Sequence, residues 1–273
     1  MITKEAIEAL QQSQAITAAN AVPAYGGTPI MLPSDFTEHD LEKYMPDRRR
    51  ARGNMQTTSI SDFADYTNEH AETGCTAFVN AQKFTATAVL NLGTPAKPDH
   101  ADNTATLTPE KTAAYAALTG ITGRGITQQA AAEFLEDWID HIECYVDTGS
   151  ESATVQNRKA IGAIRRITIE ALRKVESEVQ SLSATQSAFE SIAASSKDAI
   201  PTLIYFNCQP YAELAERLFV LRLGIVTGDK APHIVLRIIK EEQHREEMAA
   251  ELCQILAGKV EAGTIIGSYQ RGN

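Results

Sequence analysis

The sequence predicts an α+β fold, an antiparallel sheet with helices packed on it, built as a single large domain or two intimately packed subdomains. Two observations carry this expectation. Strand-like runs rich in Thr, Val, Phe and Leu gather at 76–107 and 200–239, with helical periodicity between and after them, so strands and helices are segregated rather than alternating. With 273 residues, 43% apolar and 22% charged, the chain also has ordinary globular composition and enough length to bury a core without staples.

Residues 3–19 read as a helix, with Thr3 as its cap and Ile7, Leu10 and Ile16 on one face. Pro23, Gly26, Gly27, Pro29 and Pro33 then break the pattern. This divides the chain into an N-terminal helix with an extended arm, 1–33, and an α+β body, 34–273. A second helix is expected at 59–71, capped by serine, with Phe63, Tyr66 and His70 at helical spacing. Strands follow at 76–80 and 84–92, and a short one at 105–107. Thr108-Pro109-Glu110 reads as the start of a helix running to Leu118, with Gly120, Gly123 and Gly125 terminating it.

The clearest periodic segment is 127–146, where Phe134, Leu135, Trp138, Ile139 and Ile142 form an apolar stripe opposite Glu133, Glu136, Asp137, Asp140 and Glu143. Residues 155–195 admit two readings. One is a single long helix. The other, favoured on helix-length grounds, is a short helix at 155–163, a strand around 167–171 and a helix at 183–194. Strands are then expected at 202–208, 219–226 and 233–239, the last two joined by a turn at 227–232. Both of those runs are apolar on either phase, so alternation does not assign their faces. A charged amphipathic helix from Lys240 to Ala257, ended by Gly258, and a last strand at 264–269 complete the chain.

Net charge is 25 − 35 = −10, which repels phosphate backbones and argues against general DNA binding. The one basic cluster, Arg48, Arg49, Arg50 and Arg52, is the candidate partner-binding patch. Cys75, Cys144, Cys208 and Cys253 are widely spaced and read as buried free thiols of a reducing compartment. The N-terminus has no apolar core run and does not read as a signal peptide, and no segment approaches the roughly 18 apolar residues that span a bilayer. No membrane association is expected.

Chemistry has few footholds. Asp99, His100 and Asp102 place two carboxylates and an imidazole within four residues. They are the candidate metal ligands, with His100 and Asp102 as candidate catalytic base and orienting acid. Such Asx-rich loops also form through hydrogen bonds to their own turn. Asp137/His141 and Glu241/His244 have carboxylate–histidine spacing, but Glu241 and His244 lie in a densely charged run that reads as a solvated face. His39, Asp40 and Glu42 resemble a helix start. The glycines at 120, 123 and 125 follow a helix rather than a strand, so they do not read as a phosphate cradle. No nucleophile elbow, P-loop or dinucleotide fingerprint is present. The reading leans away from an enzyme, and no cofactor is expected.

Three stretches carry a family likeness: NLGTPAKPDHADNTATLTPEKTAAYAAL at 91–118, AAEFLEDWID at 131–140, and FNCQPYAELAERLFVLRLGIVTGDKAPHIVLRII at 206–239. Together they resemble the YfdQ-like family of phage- and prophage-encoded proteins of unknown function. The family's loop reads closer to Pro-Gly-His-x-Asp-His; here Asn103 stands in place of the second histidine, which weakens the metal reading. The resemblance implies a phage origin and the cytoplasm of a bacterial host. With the Gly/Pro arm and the exposed sheet edges it frames an expectation. The chain would be a self-assembling, non-enzymatic accessory protein, a homo-oligomer binding a host or phage component in recombination support or counter-defence. The alternatives are a metal-dependent hydrolase acting on nucleotides or nucleic acid, and a structural or assembly component of the virion.

Overall fold

In a computed structural model of the chain, residues 3–21, 42–147, 152–167, 200–227 and 232–270 are described. The chain divides into two units, Met1–Ala51 and Arg52–Asn273. The first contains helix α1 (Lys4–Ala21) and a 3-10 turn at Glu42–Tyr44. Thr3 caps α1, its hydroxyl accepting from the Ala6 amide at 3.4 Å. Ile7 and Leu10 on the apolar face of α1 are exposed. The expected extended arm lies outside the described residues.

The second unit opens with strand β1 (Gly53–Thr57) and helix α2 (Ile60–His70). The Ser59 hydroxyl caps α2 by accepting from the Asp62 amide. Strands β2 (Thr76–Asn80) and β3 (Thr85–Val89) form a hairpin; β4 (Gly93–Thr94) and β5 (Lys97–Pro98) form a small two-stranded turn, and β6 (Asn103–Leu107) returns to the sheet. Then come α3 (Ala113–Ile121), β7 (Gly125–Thr127), α4 (Gln128–Asp137), a 3-10 turn at Ile139–His141, β8 (Ile142–Asp147), β9 (Ser152–Val155) and α5 (Asn157–Arg165). The C-terminal part holds β10 (Leu203–Cys208), β11 (Arg217–Thr227), β12 (Pro232–Ile238), α6 (Glu241–Lys259) and β13 (Gly263–Ile266).

These strands make two main sheets. The first has the order β1-β6-β3-β2-β13 and the second β7-β12-β11-β10-β8-β9. The second is antiparallel throughout. The first is antiparallel only at its centre; its edge strands run parallel to their neighbours, β1 to β6 and β13 to β2. The α+β class therefore holds, with one mixed sheet in place of a purely antiparallel arrangement.

Local chemistry explains where the elements begin and end. The segment 127–146 is not one helix. Helix α4 stops at Asp137, because from Ile142 onward the period changes from 3.6 to 2: Ile142 and Cys144 are buried while Glu143 is exposed. The apolar stripe is still interior at Phe134, Leu135 and Ile142, but two element types supply it. Likewise Thr108-Pro109-Glu110 does not cap α3. The Thr108 amide still pairs with the Thr57 carbonyl at 2.9 Å, continuing the first sheet, and Lys111 bridges to Tyr211. The cap is Thr112, whose hydroxyl accepts from the Tyr115 amide. Gly120 lies inside α3, and Gly258 lies inside α6, which continues to Lys259. Helix α5 ends at Arg165, so a continuous helix across 155–195 is excluded; the strand at 167–171 and the helix at 183–194 fall, beyond Ile167, outside the described residues.

The core is one cluster spanning both sheets. On the first sheet four of the inward residues are alanines, Ala77, Ala86, Ala88 and Ala105, fully buried beside Val79 and Leu107. Large side chains from the covering helices fill the complementary volume, Ile60 and Phe63 from α2 and Met248, Leu252 and Leu256 from α6. An aromatic seam connects the sheets. Phe84, in the β2–β3 turn, stacks on Tyr211 at 3.9 Å between centroids; Tyr115 lies 5.6 Å from Tyr211 and 5.3 Å from Phe219 of β11. Phe219 in turn meets His244 of α6 at 4.9 Å. Each such pair contributes about 0.5–1.5 kcal/mol beyond the area it buries. Phe84 takes a left-handed φ of 50°, unfavourable for a bulky residue, and its burial in this stack offsets that strain.

His244 closes the seam with its Nδ1 buried and unpartnered among the described residues. Burial holds its imidazole below the ordinary 6.5; nearby Arg217 and Lys240 act in the same direction and Glu247 opposes them. A base whose folded pKa is depressed binds its proton more readily when unfolded, so stability falls as pH drops below 6.5. Urea denaturation across mildly acid pH should show this loss in the wild type and a flatter dependence in His244→Phe, which keeps a ring on Phe219. An unchanged slope would remove His244 as its source.

Candidate binding surfaces

The loop carrying Asp99, His100 and Asp102 is built chiefly around Asn91, a buried amide. Asn91 Oδ1 accepts from the Asn103 amide at 2.9 Å, and its Nδ2 donates to Asp102 Oδ1 at 3.1 Å. The Asn91 carbonyl accepts from the amide of Ala101, which sits at φ 50°. Asp99 Oδ1 receives the amide of the next residue, His100, at 2.6 Å. A side chain on Gly74 would collide with the Gly93 carbonyl, and one on Gly93 with the Lys97 carbonyl and the Asp99 amide, so both positions must be bare. The carboxylates of Asp99 and Asp102 thus bond within the loop, while the His100 ring is exposed. Among the described residues, no group of three or more His, Cys, Asp or Glu side chains is placed to hold a metal ion.

Arg48, Arg49, Arg50 and Arg52 straddle the division between the two units, just ahead of β1. Arg48 and Arg49 are exposed, and the Arg49 amide donates to Glu42 Oε1 at 3.1 Å. Arg50 and Arg52 each already have an interaction partner. Asp137 and His141 do not share a helix face, since α4 ends between them. Glu241 and His244 do share α6, but Glu241 pairs with Arg245 while His244 packs on Phe219. Cys75, Cys144 and Cys208 are buried and free, and Cys253 is half-buried and free. Burial pushes Cys75 to about 11 and Cys144 to about 12. None of these is a thiolate at neutral pH.

Two surfaces that sequence reasoning did not single out stand out in the fold. The first is a cleft of about 420 Å³, lined by Thr112, Ala114, Asp140, His141, Asn207, Cys208, Gln209 and Glu216. It forms where the N-terminus of α3, the 3-10 turn before β8 and the loop joining β10 to β11 converge. His141 is fixed there. Its Nδ1 lies 2.8 Å from the Asn207 carbonyl and its ring stacks on Phe206, with Trp138 against its edge. Cys208 lies beside this histidine, but burial, with a smaller contribution from Glu216, pushes its thiol to about 12. It is protonated at neutral pH and so does not rest as a thiolate.

The second surface is the outer face of the second sheet. Ile204, Phe206, Phe219, Leu221, Leu223, Ile234, Leu236 and Ile238 point inward and are buried. The alternate residues face out. Leu218 and Val226 are 46% and 53% exposed, and Tyr145, Tyr205, Val220 and Val235 are half-buried. The Tyr145 and Tyr205 rings meet at 4.5 Å, and the Tyr145 hydroxyl donates to Glu143. Cross-strand register lines up Tyr145, Leu203, Arg222 and Arg237 in one row. Arg222 and Arg237 are thus directly opposite one another, both exposed, and neither has an ion-pair partner among the described residues. Like charges in this position are destabilising. The sequence did hold a signal for them: each is a lone charge inside an apolar strand run, marking the solvent face.

Two sheets on a shared core, a half-apolar sheet face and an open cleft define an α+β protein. The chain belongs to the family described as uncharacterized conserved protein (DUF2303), which matches residues 3–269. No curated protein and no solved structure matches it. Among the described residues no helix is long and apolar enough to cross a membrane.

The loop account predicts that Asn91→Ala destabilises the protein by about 1–3 kcal/mol, because it strands the buried Asn103 amide and removes the donor to Asp102 Oδ1. His100→Ala should stay within roughly 0.5 kcal/mol, as an exposed substitution does. Paired urea denaturation curves check both, and equal effects would contradict the account.

Proposed function

We propose that this chain is a non-enzymatic, self-assembling accessory protein of phage or prophage origin, acting in the bacterial host cytoplasm by binding a host or phage component in recombination support or counter-defence. The phage assignment rests on the YfdQ-like resemblance of the stretches at 91–118, 131–140 and 206–239. The binding role rests on one observation, the outer face of the second sheet. There an apolar and aromatic surface surrounds the facing pair Arg222 and Arg237, within a chain of net charge −10.

The occupant we assign to this face is a second copy of the chain. Acidic residues are exposed on its own helices, Glu133 and Asp137 on α4 and Glu246 on α6. A helix face of one copy set on the sheet face of another would neutralise the arginine pair and cover Leu218 and Val226. Interfaces of this kind combine an apolar centre with a charged rim that sets register.

Size-exclusion chromatography with light scattering tests this at micromolar protein. The wild type should run above the monomer mass of 29.7 kDa. Arg222→Glu with Arg237→Glu should shift it to monomer while leaving circular dichroism unchanged. A wild type that is monomeric throughout, or a double variant that assembles like the wild type, would contradict the proposal.

A further inference from the structure

Strand β13 is the less protected of the two edges of the first sheet. Its sequence, Gly-Thr-Ile-Ile, carries no charge. The opposite edge, β1, exposes Asn54 and Gln56 and follows Arg48, Arg49, Arg50 and Arg52. An apolar edge strand without a charge or a proline is a template for pairing with another strand. β13 runs parallel to β2 with Ile265 opposite Phe78 and Ile266 opposite Val79, and the Gly267 amide donates to the Val79 carbonyl at 2.8 Å. Residues 263, 265 and 267 therefore bond to β2, and the N–H and C=O groups of Thr264 and Ile266 point out of the sheet edge. Ile265 and Ile266 are 50% and 58% exposed. Neighbours in a strand point to opposite faces, so the edge is uncovered on both sides of the sheet. A helix laid on one face would cover only one isoleucine. A strand added to the edge covers both and pairs the outward backbone groups.

We infer that β13 pairs antiparallel with β13 of a second copy, about a two-fold axis at Ile265, so that two five-stranded sheets become one continuous sheet. In this register Ile265 faces the partner's Ile265, and Thr264 exchanges both backbone hydrogen bonds with the partner's Ile266. Self-complementarity selects a second copy over an unrelated strand. On the outer face Gln56, Thr106, Thr87, Phe78 and Ile265 line up in one row across all five strands. The row is polar at β1 and apolar at β13, where the Tyr269 ring meets Phe78 at 5.5 Å. The two-fold axis joins apolar end to apolar end. The nearest charge, Glu261, falls opposite the partner's Tyr269, so two chains of net charge −10 meet here without opposed carboxylates. Pairing over so few residues buries much less than the roughly 1,000 Å² of a stable interface, so alone it is weak at micromolar protein. The edge shares no residue with the sheet-face contact proposed above.

Ile265→Cys tests the register. Directly opposed residues of a non-hydrogen-bonded pair have Cα atoms about 4.5 Å apart, within disulfide reach. Ile266→Cys is the control, because position 266 is slightly more exposed, but its two copies lie two positions out of register, beyond the roughly 7 Å limit. Each full-length variant is oxidised at submillimolar protein, in the wild-type chain and again with Arg222→Glu and Arg237→Glu, which removes the sheet-face contact. The unsubstituted chain, whose cysteines are buried or half-buried, sets the background. Ile265→Cys should give a disulfide-linked dimer in both backgrounds, with the 265–265 linkage found by peptide mass spectrometry and circular dichroism unchanged. Ile266→Cys should stay monomeric. In the wild type, exchange of the Thr264 and Ile266 amides should slow as protein rises from micromolar to submillimolar, while the Ile265 amide, held by β2, keeps one rate. These outcomes hold whether or not the sheet face assembles. A monomeric Ile265→Cys in either background, equal crosslinking of Ile266→Cys, or Thr264 and Ile266 amides that exchange at one rate at every concentration would overturn the inference.

Discussion

The stack of Phe84 on Tyr211 is the contact on which the rest of the architecture depends. It places the turn of the first sheet's central hairpin against the residue that follows β10, and Tyr115 and Phe219 carry the contact onward to the second sheet. The buried residues of the two sheets belong to one cluster. The first relies on α6, which enters from the second sheet's last strand, and its inward alanines have volume to spare only because large residues arrive from α2 and α6. A core built this way is shared, and loss of the seam would expose apolar surface on both sides at once.

Both candidate binding surfaces inherit their geometry from this shared core. The seam commits one face of the second sheet to the interior, so its other face is left for Tyr145, Tyr205, Arg222 and Arg237. The cleft lies at the end of the same sheet. Pairing of β8 with β10 brings the Asp140–His141 turn beside Asn207, and the Lys111–Tyr211 bridge sets the α3 N-terminus against Gln209. Rigid elements therefore fix the walls of the cleft and the arginine row of the sheet.

Much of the fold was legible in the sequence, and the failures have identifiable causes. Ser59 as a helix cap and the strand at 76–80 could be read from local chemistry alone. The segment 127–146 misled because a helical stripe and a strand alternation were spliced at Trp138, and both place apolar residues where a continuous helix would. Strand β1, Gly-Asn-Met-Gln-Thr, has no apolar pattern; it is an edge strand held by backbone pairing to β6 and by Asn54, which accepts from Thr104 and Thr106. The cleft was beyond sequence reading for a different reason. Its residues come from three distant segments, and only strand pairing makes them neighbours. Arg222 and Arg237 were visible as isolated charges, but their opposition follows from register, which the masked alternation of those strands did not reveal.

Native-state amide hydrogen exchange tests the shared core most directly. If the seam makes one cooperative unit, amides of β3 in the first sheet and of β11 in the second exchange only through the same global opening, with equal free energies and equal denaturant dependence. If β3 exchanges through a separate opening of much lower free energy while β11 stays protected, the sheets are independent units and the account of a single core is wrong.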